Sequence, residues 1–183
     1  MNIITPWNQP FLDKKACQPA PAGPLSILPP ALPSAPSPGP AAPTPAPSAL
    51  TAEDARFKLQ AAGIDINKNE CPVGASFQSV PGGCTSLGGV SRIAIDQVVW
   101  LKNSCQCAVS VSGGTELGHA EVGITHASGL KLDLNPNSQL DAYILKNTSY
   151  TGQRSDGAAQ YRASNGTIYA KEGNHWDVTF TGT

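Results

Sequence analysis

Fourteen of the chain's 17 prolines fall within its first 50 residues, leaving Pro72, Pro81 and Pro136 for the other 133 positions. A Pro, Ala and Ser mixture of this density buries too little apolar surface to offset the entropy lost on ordering, so no packed core is expected there. The chain therefore divides into three parts. Residues 1–17, which carry Trp7 and Phe11, read as an anchor segment. Residues 18–50 read as a linker of polyproline-II type; at about 3.1 Å per residue it spans on the order of 100 Å when extended. Residues 51–183 suit one small domain with a single core. Within the linker, Leu25-Ser26-Ile27-Leu28 is an apolar interruption that reads either as chance or as a docking peptide.

Twelve basic and 13 acidic side chains give a formal charge of −1. No basic stripe marks a nucleic-acid surface, which argues against a polyanion partner. No run reaches the roughly 18–20 apolar residues of a membrane helix. The first 20 residues lack a basic segment followed by an apolar one, so delivery beyond the cytoplasm is expected to use a route other than an ordinary signal peptide. None of the five cysteines stands in a Cys-x-x-Cys spacing, which disfavours a zinc ribbon or a thioredoxin-type centre. Cys71 and Cys84 close a short Gly/Pro-rich loop and are a candidate disulfide in an oxidising setting; the pairing of Cys105 and Cys107 is left open.

Thr51 is a suitable N-cap for a helix with apolar contacts at Ala55, Phe57, Leu59 and Ala62, stopped by Gly63. A loop is expected from about 65 to 88. Ser91 caps a second helix with a stripe of Ile95, Val98, Val99 and Leu101, ending near Asn103. Alternation predicts strands at Ala108–Ser112 and through Leu130, Leu132 and Leu134, then a short helix from Ser138 to Leu145. Two further strands flank the Asn165-Gly166 turn, and HWDVTF closes the chain. Helices first and mainly antiparallel strands afterwards indicate an α+β fold, with helices packed on the sheet.

All three histidines, His119, His126 and His175, lie in the last 65 residues of the chain. His126 precedes Asp133 by seven positions, with Gly129 allowing a turn between them. Asp133 interrupts an apolar alternation, and a carboxylate there is costly without a cation or donors. Zinc accepts imidazole nitrogen and carboxylate oxygen alike. In EGNHWD, Glu172 precedes His175 across a Gly-Asn turn, close enough to act as a base on water beside one metal ion. A second register has Asp177 in place of His175 as third ligand.

The pattern H-x6-D with a later E-x-x-H-W resembles the zinc D-alanyl-D-alanine peptidases, the M15 group, which includes phage and bacterial wall-active members. Their signature, roughly S-x-H-x-x-G-x-A-x-D, is matched at His126, Gly129 and Asp133, and the E-x-x-H at Glu172 and His175. The resemblance covers about residues 51–183. It implies one Zn2+ held by His126, Asp133 and His175, Glu172 as catalytic base, and hydrolysis of a peptidoglycan bond next to D-Ala. It also implies a phage virion or the bacterial periplasm and cell wall as location, as for a virion-associated lysin or endolysin. A virion tail or spike protein is the expected partner of residues 1–50. Ile124 and Lys131 depart from the signature, and the upstream arginine of classical members has no counterpart between Ala108 and His126. His119 or Glu116 is the candidate to contact substrate in its place. These departures support an alternative, a catalytically inactive wall-binding or structural module on the same fold.

Overall fold

The computed structural model describes residues 49–119 and 123–181. The expected anchor (1–17) and all of the linker but Ala49 and Leu50 lie outside the described residues. The described residues begin two positions before the helix cap. Leu50 donates its amide to Val90 O (2.8 Å) and accepts from Gly89 N (2.9 Å), which stitches the chain's entry to the start of the second helix.

Helix α1 (Ala52–Ala61) begins where the Thr51 hydroxyl accepts the Asp54 amide at 3.1 Å. It buries Ala55 and Leu59 and ends at Gly63, whose φ of +70° is the left-handed turn that favours glycine. Helix α2 (Arg92–Cys105) is capped by Ser91 and buries Ala94, Ile95, Val98 and Leu101, one stripe at helical spacing. It runs two residues past Asn103. Helix α3 (Ser138–Asn147) is capped by Asn137 rather than Ser138: the Asn137 side-chain oxygen accepts from the amides of Gln139 (3.1 Å) and Leu140 (3.0 Å). Asparagine outcompetes the serine because it stands one position earlier, where its oxygen reaches two orphan amides.

The strands are β1 (Asp65–Ile66), β2 (Ser110–Gly113), β3 (Lys131–Leu134), β4 (Ser149–Gln153), β5 (Ala159–Arg162), β6 (Ile168–Lys171) and β7 (Trp176–Thr179). They form one sheet in the order β1-β2-β3-β7-β6-β5-β4. Only the β1–β2 pair is parallel. The architecture is α+β. Two strands fall where no strand is expected. β1 has two residues and no periodicity of its own, and it sits within the expected loop. β4 is mostly exposed and lacks an apolar alternation.

One face of the sheet carries Val111, Leu132, Leu134, Tyr169, Trp176 and Val178, all buried in the core with α1, α2 and α3. Trp176 is further held by its indole N–H, which donates to Asp141 Oδ1 (2.7 Å), and by the Lys171 ammonium 4.5 Å from its ring centre. Because side chains alternate, the intervening residues Asp133 and Asp177 face the other way, and register sets them directly opposite each other. The fold thus delivers two carboxylates to one patch.

Disulfides join Cys71 to Cys84 and Cys105 to Cys107. The first encloses 12 intervening residues of the long loop between β1 and α2, the second only Gln106. Replacing Cys71 and Cys84 together with alanine is expected to lower stability by about 3 kcal/mol, the chain-entropy value for a loop of that length. The Cys105/Cys107 double replacement should cost less. Urea denaturation of the two variants checks the order.

Candidate metal centre

His126 opens a single 3-10 turn (His126–Ser128) that ends at Gly129 (φ +73°). A Cβ on Gly129 would come within 2.3 Å of Gly89 O and 2.9 Å of Ser91 N, so only glycine lets this turn seat against the N-terminus of α2. The His126 ring is then fixed by its Nδ1–H, which donates to Gly114 O at 2.7 Å. That bond leaves Nε2 as the lone pair, 3.3 Å from Asp133 Oδ1. Asp133 lies over β2, where Gly113 leaves room: a Cβ there would stand 2.3 Å from Asp133 Oδ2.

His175 arrives from the turn between β6 and β7, closed by the Glu172 amide donating to His175 O (3.0 Å). Its Nδ1–H donates to Asn174 Oδ1 (2.8 Å), which again leaves Nε2 free. That atom is 3.6 Å from Asp133 Oδ1 and 3.3 Å from Glu172 Oε2. Two imidazoles, each with Nδ1 tied down, therefore aim Nε2 at one carboxylate oxygen. Asp133 Oδ1 is itself buried with no hydrogen-bond partner. An orphaned buried oxygen flanked by two oriented lone pairs fits a small, hard-to-soft borderline cation, and the tied Nδ1 atoms are the outer support that such ligands use.

His119 also joins the cluster. His119, His126 and Asp133 offer ligand atoms within 4.8 Å of one another, a triad at metal-binding distance. His119 Nε2–H donates to Glu116 Oε1 (2.9 Å), and Nδ1 stands 3.7 Å from Asp133 Oδ2. Its ring, however, stacks on His126 with centroids 3.8 Å apart and planes 15° apart. An imidazole lone pair lies in its ring plane, so stacked rings send theirs side by side instead of to one point. His119 thus lies face to face with His126, while His175 Nε2 approaches Asp133 Oδ1 from the β6–β7 turn.

The other acidic residues are engaged. Glu116 accepts from the amides of Gly114 (3.0 Å) and Ser86 (2.7 Å) as well as from His119, so it braces the cluster from behind. Burial pushes its carboxyl up, but those donors outweigh burial and hold it below the usual range. Asp177 Oδ2 accepts from Lys131 Nζ (2.6 Å) and from an Arg154 guanidinium nitrogen (2.7 Å). Asp177 Oδ1, like Asp133 Oδ1, is buried without a hydrogen-bond partner. Lys131 thereby has a structural partner.

Arg154 is the residue that sequence reasoning missed. It comes from the β4–β5 turn, pairs with Asp156 (2.5 Å) and Asp177, and clasps Glu172 Oε1. The only trace in the sequence is QRSDGA, which reads as a solvated turn. These pairings, with Asp156 first, raise the guanidinium above its ordinary value, and Asp156 in turn is drawn down to about 2.

Burial alone would lower His126 and raise Asp133. Their mutual approach and charge, with Asp177 adding to the one and His175 and His119 to the other, reverse both: His126 is raised and Asp133 lowered. Without metal, the raised imidazole stabilises the fold fully below pH 6.5, a contribution lost as pH climbs through its folded value. The lowered carboxyl contributes above pH 3.8 and is lost as pH falls through its folded value. In chelator, the denaturation midpoint should therefore drop as pH rises above 6.5, and His126→Ala should flatten that drop. With metal present the sign inverts, since the ion competes with the His126 proton and binds more tightly as pH rises.

No protein-family model, curated protein or solved structure matches this chain.

Proposed function

We propose that the chain is a zinc-dependent peptidoglycan peptidase that hydrolyses a stem-peptide or cross-link bond next to D-Ala. The observation that carries the reading is the convergence of His126 Nε2 and His175 Nε2 on the orphaned Asp133 Oδ1, with Glu172 Oε2 at the edge of the same cluster. Three protein ligands of imidazole and carboxylate type are the set of catalytic rather than structural zinc. Bound there, zinc supplies Lewis acidity that polarises a carbonyl and brings the pKa of water towards 7.

The chain's own groups supply the rest. Glu172 is half-buried, and its Oε1 is held by Arg154, which turns Oε2 towards His175. A carboxylate so placed takes the proton of an attacking water and returns it to the leaving amine. Asn174 and the Gly114 carbonyl keep the two imidazoles in one tautomer, and Glu116 keeps His119 against His126. The choice of peptidoglycan rests on the likeness of the H-x6-D and E-x-x-H-W motifs to wall-active zinc peptidases. A role as virion-associated lysin or endolysin, with residues 1–50 as anchor and tether to a tail or spike protein, belongs to the same proposal. No helix among the described residues is long and apolar enough to cross a membrane.

The competing reading, an inactive wall-binding module, draws on Arg154: a base already clasped by a guanidinium is a weaker proton acceptor. Mass spectrometry of purified peptidoglycan after digestion, with and without chelator, separates the two. The peptidase releases new termini only when metal is present. His126→Ala, Asp133→Ala and His175→Ala should each lose stoichiometric zinc, whereas His119→Ala should retain it. Glu172→Gln should keep zinc and fold while losing at least about 100-fold in rate, the contribution typical of a general base. Full hydrolysis by Glu172→Gln would remove it from the mechanism.

A further inference from the structure

On the other side of the sheet from the metal cluster, α2, α3 and the β5–β6 turn border a cavity of about 640 Å³. That volume lies within the range of ligand cavities, roughly 300–1,000 Å³. Asp96, Gln97 and Trp100 reach it from one side of α2, Tyr143 and Asn147 from successive turns of α3, and Tyr169 from the core face of β6. None of these groups takes part in the chemistry described above.

Two of its amides are fixed by neighbours. The Gln97 side-chain oxygen accepts from the Thr167 hydroxyl (2.6 Å), so the amide nitrogen is left as a donor. The Asn147 amide nitrogen donates to Tyr143 O (2.7 Å), which leaves the side-chain oxygen as an acceptor. Tyr169 is only 4% exposed, and its hydroxyl has no hydrogen-bond partner among the described residues. Burial, with a contribution from Tyr143, pushes that phenol above its ordinary value. A hydroxyl so desolvated is costly to leave unsatisfied. Asp96 has only a loose partner, Lys58 Nζ at 3.9 Å. Trp100, at the same cavity, is 55% exposed.

This lining selects its ligand by elimination. Among the described residues no lysine, arginine or histidine lines the cavity, and Asp96 repels anions. A wholly apolar ligand would leave the amides, the carboxylate and the phenol dehydrated and unpaired. A sugar ring meets both demands. Its C–H face lies against an aromatic ring, whose own face is negative, and the hydroxyls around its edge each donate and accept. We propose that the cavity binds a neutral saccharide, with Trp100 as the stacking surface and Gln97, Asn147 and Tyr169 as partners of the sugar hydroxyls. The proposal stands apart from the peptidase reading, because the cavity and the metal cluster occupy opposite faces of the sheet and a sugar bound at one leaves the other free.

The test is isothermal titration of the full chain with tri-N-acetylchitotriose and with maltotriose, in the presence and absence of chelator. At least one of the two sugars should bind saturably, with a dissociation constant of about 1 mM or tighter, and chelator should leave that value unchanged. Trp100→Ala should weaken binding at least about tenfold, and Trp100→Phe should keep part of the affinity. Tyr169→Phe, which removes a single hydroxyl, should weaken it roughly 3- to 10-fold. Unfolding midpoints that match the parent chain guard against loss of fold in these variants. No saturable binding of either sugar up to about 10 mM, full affinity in Trp100→Ala, or binding that chelator abolishes overturns the proposal. So does a cavity that takes adenosine and refuses both sugars.

Discussion

Asp133 and Asp177 face each other across β3 and β7, both about 6% exposed, on the side of the sheet away from the helices. Like charges directly opposed on adjacent strands repel, and burial magnifies the cost. The structure compensates each carboxylate with a different kind of group. Asp177 receives two permanent cations, Lys131 and Arg154. Asp133 receives only imidazoles, which are weaker partners but exchangeable ones. Each carboxylate nevertheless keeps its Oδ1 buried without a hydrogen-bond partner.

The opposite face makes the arrangement affordable. Leu132, Leu134, Val178 and Trp176 are almost completely excluded from solvent, a burial that stabilises by about 25 cal/mol per Å² of apolar surface. The same two central strands therefore hold the core with their even residues and the cluster with Asp133 and Asp177. A slip of one residue in register would exchange the two sets, placing carboxylates in the core. Register and chemistry are bound together.

Much of this was legible in the sequence for identifiable reasons. The two N-terminal helices announced themselves through caps and apolar stripes, and β3 and β7 through alternation. His126, Gly129 and Asp133 stood out because an acid within an alternating strand requires an explanation. What escaped notice depended on tertiary pairing. β1 exists because β2 offers its amides and carbonyls to two residues with no pattern of their own. Asn137 and Ser138 both suit a cap, and only geometry chooses between them. Arg154 is 18 residues from Glu172 and 23 from Asp177, so no spacing rule links them. Glu116 stood out only as a candidate to contact substrate, and its bonds with Gly114, Ser86 and His119 emerge only in the fold.

The Arg154 clasp also joins two parts of the sheet that would otherwise open independently. β4 is an edge strand with mostly exposed residues, the kind of element that frays first. Arg154 sits at the turn that follows it, and the same guanidinium reaches Glu172 and Asp177. Each excursion of that outer hairpin therefore withdraws the cation from the cluster and leaves Glu172 unrestrained. Fraying at the edge of the sheet would therefore be felt by the acidic residues at its centre.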